Sequence, residues 1–137
     1  MHTLDGKGRI TVPARYRDVL LAAESGQMVV TKSLASCLTL FPRSVWDRFE
    51  AALNAKPASF DPLRRLYIGS ASEVSIDGAS RLLLAPELRE FAGIERDVVF
   101  MGLGNRFELW DKARAAANES SDLKQDWSAQ LQDLMIG

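Results

Sequence analysis

A motif that the chain carries twice limits its fold more than any other feature. Leu4-Asp5-Gly6-Lys7-Gly8-Arg9-Ile10-Thr11-Val12-Pro13 returns 72 positions later as Ile76-Asp77-Gly78-Ala79-Ser80-Arg81-Leu82-Leu83-Leu84-Ala85-Pro86. At that offset Asp5 pairs with Asp77, Gly6 with Gly78, Arg9 with Arg81 and Arg17 with Arg89. The apolar residues downstream keep step: Tyr16, Val19 and Leu20 match Leu88, Phe91 and Ala92, an i, i+3, i+4 stripe in each copy. A repeated unit implies a pseudo-symmetric fold that presents one charged loop twice, which is the plan of a binding surface.

Each copy reads as strand, motif loop, strand, short helix and two further strands. Val74 and Ile76 alternate with polar residues before the second motif, as a half-buried strand does. Only four residues precede Asp5, so repeat one is expected to lack most of that first strand, as if the chain began late. Ile10-Thr11-Val12 and Leu82-Leu83-Leu84 leave the loops as short strands. Proline then opens each helix, where its missing N–H is harmless, and Gly26 and Gly93 mark the ends. Met28-Val29-Val30-Thr31 and Val98-Val99-Phe100-Met101 read as buried strands, and Leu38-Thr39-Leu40-Phe41 and Phe107-Glu108-Leu109-Trp110 as alternating ones.

A helical segment follows each repeat. Trp46, Phe49 and Leu53 share a face of the first; Lys56-Pro57-Ala58-Ser59-Phe60 breaks it, and Asp61-Pro62 reads as a cap plus first-turn proline for its continuation through Leu63, Leu66 and Tyr67. Leu123, Trp127, Leu131 and Leu134 form a stripe after the second repeat, with Asn118-Glu119-Ser120-Ser121-Asp122 expected to interrupt the tail. These helices are expected to cover the repeat core, with docking of the last stripe on a neighbouring subunit as the alternative. The organisation is therefore residues 1–70, a first repeat with covering helices, and residues 71–137, a second repeat with a helical tail.

Net charge is −1, but it is unevenly spread: residues 1–70 hold ten Lys/Arg against six Asp/Glu, and residues 71–137 hold seven against twelve. A positive first repeat suits an anionic partner. One cysteine, Cys37, and one histidine, His2, are too few for a structural zinc site or a Ser-His-Asp triad, so no metal or cofactor is expected. No apolar run is long enough for a membrane span, and the lone cysteine fits a reducing cytosol. Gly6-Lys7-Gly8 and Gly102-Leu103-Gly104 match neither a P-loop nor a dinucleotide fingerprint, so no enzyme and no small-molecule substrate is expected. The tryptophans Trp46, Trp110 and Trp127 fall on presumed core faces, apart from the basic loop, which gives base stacking on single-stranded RNA little support.

The loop chemistry does suit a polyanion. Glycines let the backbone turn sharply and approach a partner. Asp5 can fix the turn, Lys7 offers a point charge, and Arg9 a planar fork for two phosphate oxygens or for guanine O6 and N7. Arg15 and Arg17 add charge on the short helix. A second reading stays open beside this one, in which Arg9 pairs with Asp5 or Asp18 and only braces the fold. Arg17 and Arg89, flanked by Asp18 and Glu90, read first as solvated ion pairs. The second loop has Ala79 for Lys7 and Ser80 for Gly8, so it is expected to contribute chiefly Arg81.

The doubled Asp-x-x-Gly-Arg pattern, the proline and Arg-containing helix after it, Gln27-Met28-Val29-Val30-Thr31 and Gly102-Leu103-Gly104-Asn105-Arg106-Phe107-Glu108-Leu109-Trp110 together resemble the MraZ family of bacterial transcriptional regulators. The match runs from Leu4 to about Lys112. The resemblance implies an α+β fold, a pseudo-two-fold, duplicated swapped-hairpin (AbrB-like) β-barrel with flanking helices. It implies a cytoplasmic, nucleoid-associated ring-shaped homo-oligomer on double-stranded DNA. The sites would be direct repeats in the promoter of the division and cell-wall gene cluster, with Arg9 and Arg81 facing DNA and Lys7 beside the first. The expected contact set is thus Lys7, Gly8, Arg9, Arg15, Arg17 and Arg81. Two departures from the family pattern stand out: no Phe-Arg-Gly stretch precedes the first strand, and the second motif reads Ser80-Arg81 for Gly-Arg. The rival reading is an antitoxin-like or scaffold module that binds a protein through its tail.

Overall fold

In a computed structural model the structure describes residues 2–24 and 26–136; the side chains of Val19, Ala23, Glu24 and Ile136 are outside that description. Val19, expected on the first helical stripe, is one of these. The fold is α+β, an antiparallel sheet with helices. The strands are β1 (His2–Thr3), β2 (Arg9–Thr11), β3 (Gln27–Lys32), β4 (Leu38–Pro42), β5 (Ser72–Ser75), β6 (Arg81–Leu83), β7 (Asp97–Gly102) and β8 (Phe107–Asp111). The helices are α1 (Ala14–Glu24), α2 (Arg43–Asn54), a short α3 (Asp61–Leu63) running into a π-helical turn (Arg64–Ile68), α4 (Pro86–Ala92), α5 (Lys112–Leu123) and α6 (Ser128–Ile136).

The sheet orders show how the repeats interlock. Six strands run β1-β7-β8-β4-β3-β5, and β2 pairs with β6 in a separate ribbon. Exchanging each strand for its counterpart reverses the six-strand order onto itself, so the order is symmetric about the β4–β8 pairing. Each repeat also lends its first strand to the other: β1 pairs with β7, and β5 with β3. Neither repeat completes its sheet alone.

One side of the sheet closes over Ile10, Val12, Leu82 and Leu84 from the ribbon strands, Leu38 and Leu40 from β4, and Leu88 from α4, each at most 1 % exposed. Tyr16 of α1 stacks on Phe100 and meets Phe107 edge-on, so the first repeat's helix packs on the second repeat's hairpin. The other side carries α2, whose Trp46 packs with Phe41 and Phe49. There Thr31 Oγ1 donates to the Tyr67 carbonyl at 2.6 Å and ties the π turn to β3. That double cover corrects the alternating reading of β4, all five of whose residues are buried, Thr39 included.

Three helix expectations also change. Asp61 is the first residue of α3 and no cap; its carboxylate accepts from Arg64 Nε at 2.9 Å. The polar run 118–122 lies inside α5, and the break falls at 124–127, where Lys124 serves as C-cap. The tail does not cover the core beyond α5: Leu123, Trp127, Leu131 and Leu134 are all exposed. Polar residues are harmless on the solvent face of a helix, so the run at 118–122 could not stop it.

Candidate nucleic-acid interface

The two motif loops are built by one carboxylate each. Asp5 Oδ1 accepts the backbone amides of Lys7 and Arg9, both at 2.9 Å, and Oδ2 accepts Arg9 Nε at 2.8 Å. Asp77 does the same in repeat two, accepting the amides of Ala79 and Arg81 at 2.8 and 2.9 Å and Arg81 Nε at 3.0 Å. Main-chain bonds close each turn, from Gly8 to Asp5 and from Ser80 to Asp77. The amides that converge on Asp5, Arg9's above all, hold its carboxyl down at about 2, and the same pattern lowers Asp77. The pairing of Arg9 with Asp5, one of the two readings the sequence left open, is present. It uses only Nε, so the terminal nitrogens of the guanidinium are directed by the same contact that anchors it.

The ribbon then fixes how the loops face one another. β2 and β6 pair antiparallel in the register Arg9↔Leu83, Ile10↔Leu82 and Thr11↔Arg81. Ile10 and Leu82 point inward and are fully buried, so Arg9, Thr11, Arg81 and Leu83 share the outward face. The two arginines sit diagonally on it, two positions apart along the strand, or about 7 Å. Amides beyond the ladder extend the ribbon at both ends: Leu84 N–H donates to the Gly8 carbonyl at 2.9 Å, and Val12 N–H to the Ser80 carbonyl at 2.8 Å. Thr11 and Leu83, the latter 58 % exposed, were not singled out from the sequence. Only the register puts them between the arginines.

The remaining expected residues lie around this face. Lys7 is exposed at the tip of loop one. Gly8 takes φ +83°, and Ser80 takes φ 63° at the matching position, the left-handed region in which a side chain is strained. Arg15 is exposed on α1, its guanidinium 4.9 Å from the Tyr16 ring centre. Arg17 Nε is 3.7 Å from Asp18, the expected ion pair, yet its Nη1 also reaches Ser80 Oγ at 3.4 Å in the other repeat. Arg89 departs from expectation: its Nε donates to the Leu84 carbonyl at 3.1 Å and not to Glu90. Trp127, expected on a core face, is 41 % exposed.

The doubled sequence unit that carries these loops is matched by a known family. The MraZ protein family, described as antitoxin-like, matches residues 1–66 and again residues 67–134. The chain belongs to the MraZ family. It is 44 % identical to the transcriptional regulator MraZ of Delftia acidovorans over 130 residues, covering 95 % of this chain and 92 % of that one. It is 50 % identical to the transcriptional regulator MraZ of Herminiimonas arsenicoxydans over 117 residues, 85 % and 82 % of the two chains. It is 46 % identical to that of Bordetella pertussis over 123 residues, 90 % and 87 %. The family is one of transcriptional regulators, not of enzymes. Among the described residues no helix is long and apolar enough to cross a membrane.

Proposed function

We propose that this chain is a sequence-specific regulator that grips double-stranded promoter DNA with the outward face of the β2–β6 ribbon and its two motif loops. The observation that carries the reading is the diagonal of Arg9 and Arg81 on one outward face, each held by the same aspartate network. A two-stranded ribbon is narrow enough to enter a major groove, where an arginine fork fits guanine or spans two phosphate oxygens. In this reading Lys7 and the Gly8 backbone add a phosphate contact at loop one, Arg15 flanks it, and Arg17 stands at loop two. The targets are direct repeats upstream of the division and cell-wall genes, and the protein works in the cytoplasm on the nucleoid. The exchanged first strands support an AbrB-like swapped-hairpin barrel as the scaffold, with residues 1–70 and 71–137 as its two halves.

One loop carries few charges, so a single copy binds weakly and salt-sensitively, and tight binding comes from several copies on successive repeats. A ring of copies supplies this. Its support is an unmatched pair of surfaces. Leu131, Leu134 and Met135 of α6 are exposed, while Leu34, Phe49, Ala52, Leu53, Phe60 and Leu63 line an open apolar groove of about 340 Å³ beside α2. Residues 119–137 hold one Lys/Arg and four Asp/Glu; residues 43–71 around the groove hold five and three. A helix of one copy in the groove of the next is a head-to-tail contact, the kind that closes into rings.

The test is fluorescence anisotropy with the gene's own upstream DNA across a salt series, comparing wild type with the Arg9→Ala/Arg81→Ala variant. Sequence-dependent, salt-sensitive binding lost in a folded double variant is the expected result. The exposed α6 stripe also favours a second reading, an antitoxin-like or scaffold module whose tail captures another protein. A folded, oligomeric wild type that shows no sequence preference would sink the DNA reading and leave that one.

A further inference from the structure

We propose that Arg89 and Arg17 are positioning residues that each brace the motif loop of the opposite repeat: Arg89 sets Lys7-Gly8-Arg9, and Arg17 sets Ala79-Ser80-Arg81. The contribution to DNA affinity rests on the function proposed above; the brace itself does not.

The contacts are reciprocal. The guanidinium of Arg89, on α4 of repeat two, lies against the backbone of Gly8 in repeat one. A β-carbon at Gly8 would stand 2.9 Å from Arg89 Cζ and 3.1 Å from Nε and Nη2, so that a side chain there would have to push the guanidinium aside. Arg89 Nε holds the Leu84 carbonyl, and the Leu84 amide in turn holds the Gly8 carbonyl, so α4, the end of the ribbon and loop one form one strap. Across the pseudo-two-fold, Arg17 on α1 of repeat one reaches Ser80 Oγ, and the Val12 amide holds the Ser80 carbonyl. Among the described residues, the hydrogen bonds and ion pairs of these two arginines go to Leu84, Ser80 and Asp18. None of those lies in the motif loop of the arginine's own repeat.

Position 8 and position 80 explain why the two straps differ. With no side chain at Gly8, a flat guanidinium can lie on the loop. The Ser80 side chain stands at the matching place, and Arg17 meets its hydroxyl instead. The guanidinium is the right group for both, since it is planar, stacks, and keeps its charge at every physiological pH. A loop held in one conformation before binding loses less entropy on contact with DNA. The brace also couples the repeats, because the residue that sets each DNA-facing arginine comes from the other half.

Crossed double-mutant cycles on the full chain test this. Arg89→Ala is expected to be coupled to Arg9→Ala, and Arg17→Ala to Arg81→Ala, with each brace alone costing about five-fold in affinity or more. The pairs Arg89/Arg81 and Arg17/Arg9 are expected to be additive. The salt slope of Arg89→Ala should stay at the wild-type value, since a lost phosphate contact lowers it by about 0.9. Hydrogen–deuterium exchange of the DNA-free protein supplies a readout that does not depend on the function. Arg89→Ala should speed exchange at residues 7–9 and spare 79–81, with the reverse for Arg17→Ala. Arg89→Lys, which keeps charge without the planar stack, should reproduce the Arg89→Ala exchange pattern and guards against a variant that fails to fold. Coupling within each repeat, both loops loosening together, a flattened slope, or a wild-type pattern for Arg89→Lys would each overturn the proposal. Absence of DNA binding by wild type with the crossed exchange pattern intact would remove the function and leave the brace.

Discussion

The two repeats share their strands and their aspartate brace but not their helical arms. In repeat one, α2 and the α3–π segment fold back on the sheet, where Trp46 is 4 % exposed against Phe41 and Phe49 and Thr31 holds the Tyr67 carbonyl. In repeat two only α5 returns, through Ala115 against Trp110, and α6 stands open. The same duplicated plan thus yields one arm packed on the sheet and one whose apolar residues stay exposed. Burial, rather than sequence pattern, separates the roles, because an apolar stripe at helical spacing looks alike whether it meets its own core or another chain.

The largest effect expected from this contrast is on stability. Trp46→Ala should destabilise the fold by about 3–5 kcal/mol, the usual cost of emptying a buried aromatic site. Trp127→Ala, at an exposed position whose indole N–H bonds the nearby Asp122 carbonyl, should stay within about 0.5 kcal/mol. Chemical denaturation of both variants measures the difference. Equal losses would mean that α6 is packed on its own protomer.

Next comes the contrast between the loops. Arg9→Ala removes the arginine of the loop that also carries Lys7, and should weaken promoter binding by about 1–3 kcal/mol. Arg81→Ala should cost less, because Ala79 leaves that loop with one positive charge fewer. Anisotropy titrations of the two single variants rank them; a larger loss for Arg81→Ala would reverse the assignment of the stronger contact to loop one.

What the sequence revealed, and what it hid, follows the range of the interactions. The Asp-Gly-x-x-Arg turns were legible because the bonds that the aspartate makes lie within five residues, from Asp5 to Arg9 or Asp77 to Arg81. The strands were legible by apolar runs, and the duplication foretold a symmetric sheet; the run 98–101, read as a buried strand, is buried only at Val98 and Phe100 and half-buried at Val99 and Met101. The contacts of Arg17 with Ser80 and of Arg89 with Gly8 were hidden, since each joins residues more than sixty positions apart and nothing local marks it. Thr39 misled because its hydroxyl suggests an outer face, whereas α2 and the α3–π segment bury that side too. Asp61 misled because Asp-Pro fits a cap, while the preceding 3₁₀ turn (Ala58–Phe60) had already started the helical geometry.

A smaller effect sharpens the loop comparison further. Ser80 sits at φ 63°, where glycine is relieved of strain. Ser80→Gly should therefore stabilise the protein by about 1 kcal/mol, seen as a rise in Tm of about 4 °C. Gly8→Ser should do the opposite and more strongly, since its side chain would also displace the Arg89 guanidinium. A neutral Ser80→Gly would mean that the hydroxyl's contact with Arg17 offsets the backbone strain.

The smallest expected effect is the pH response of the two aspartates. Both carboxyls are stabilised as anions by the amides of their own loops, so their folded values lie below those of the unfolded chain, Asp5 at about 2. The linkage therefore has one sign: each contributes stability that is fully present above the ordinary aspartate value near 3.8 and is lost as pH falls through the folded value. For Asp5 that window runs from about 4 to about 2. Both side chains are solvent-exposed enough for screening to keep the contribution small. Carboxyl-carbon NMR between pH 5 and 1.5 should show Asp5 and Asp77 titrating below the ordinary aspartate value near 3.8. Asp5→Asn, which keeps one acceptor oxygen but not the charge, should flatten the pH dependence of stability in that window and lower stability slightly near neutrality, where the anion's contribution is fully present. An Asp5 midpoint at the ordinary value would mean that the amide cradle is loose in solution, and the loop comparison would then have to rest on Lys7 and Gly8 alone.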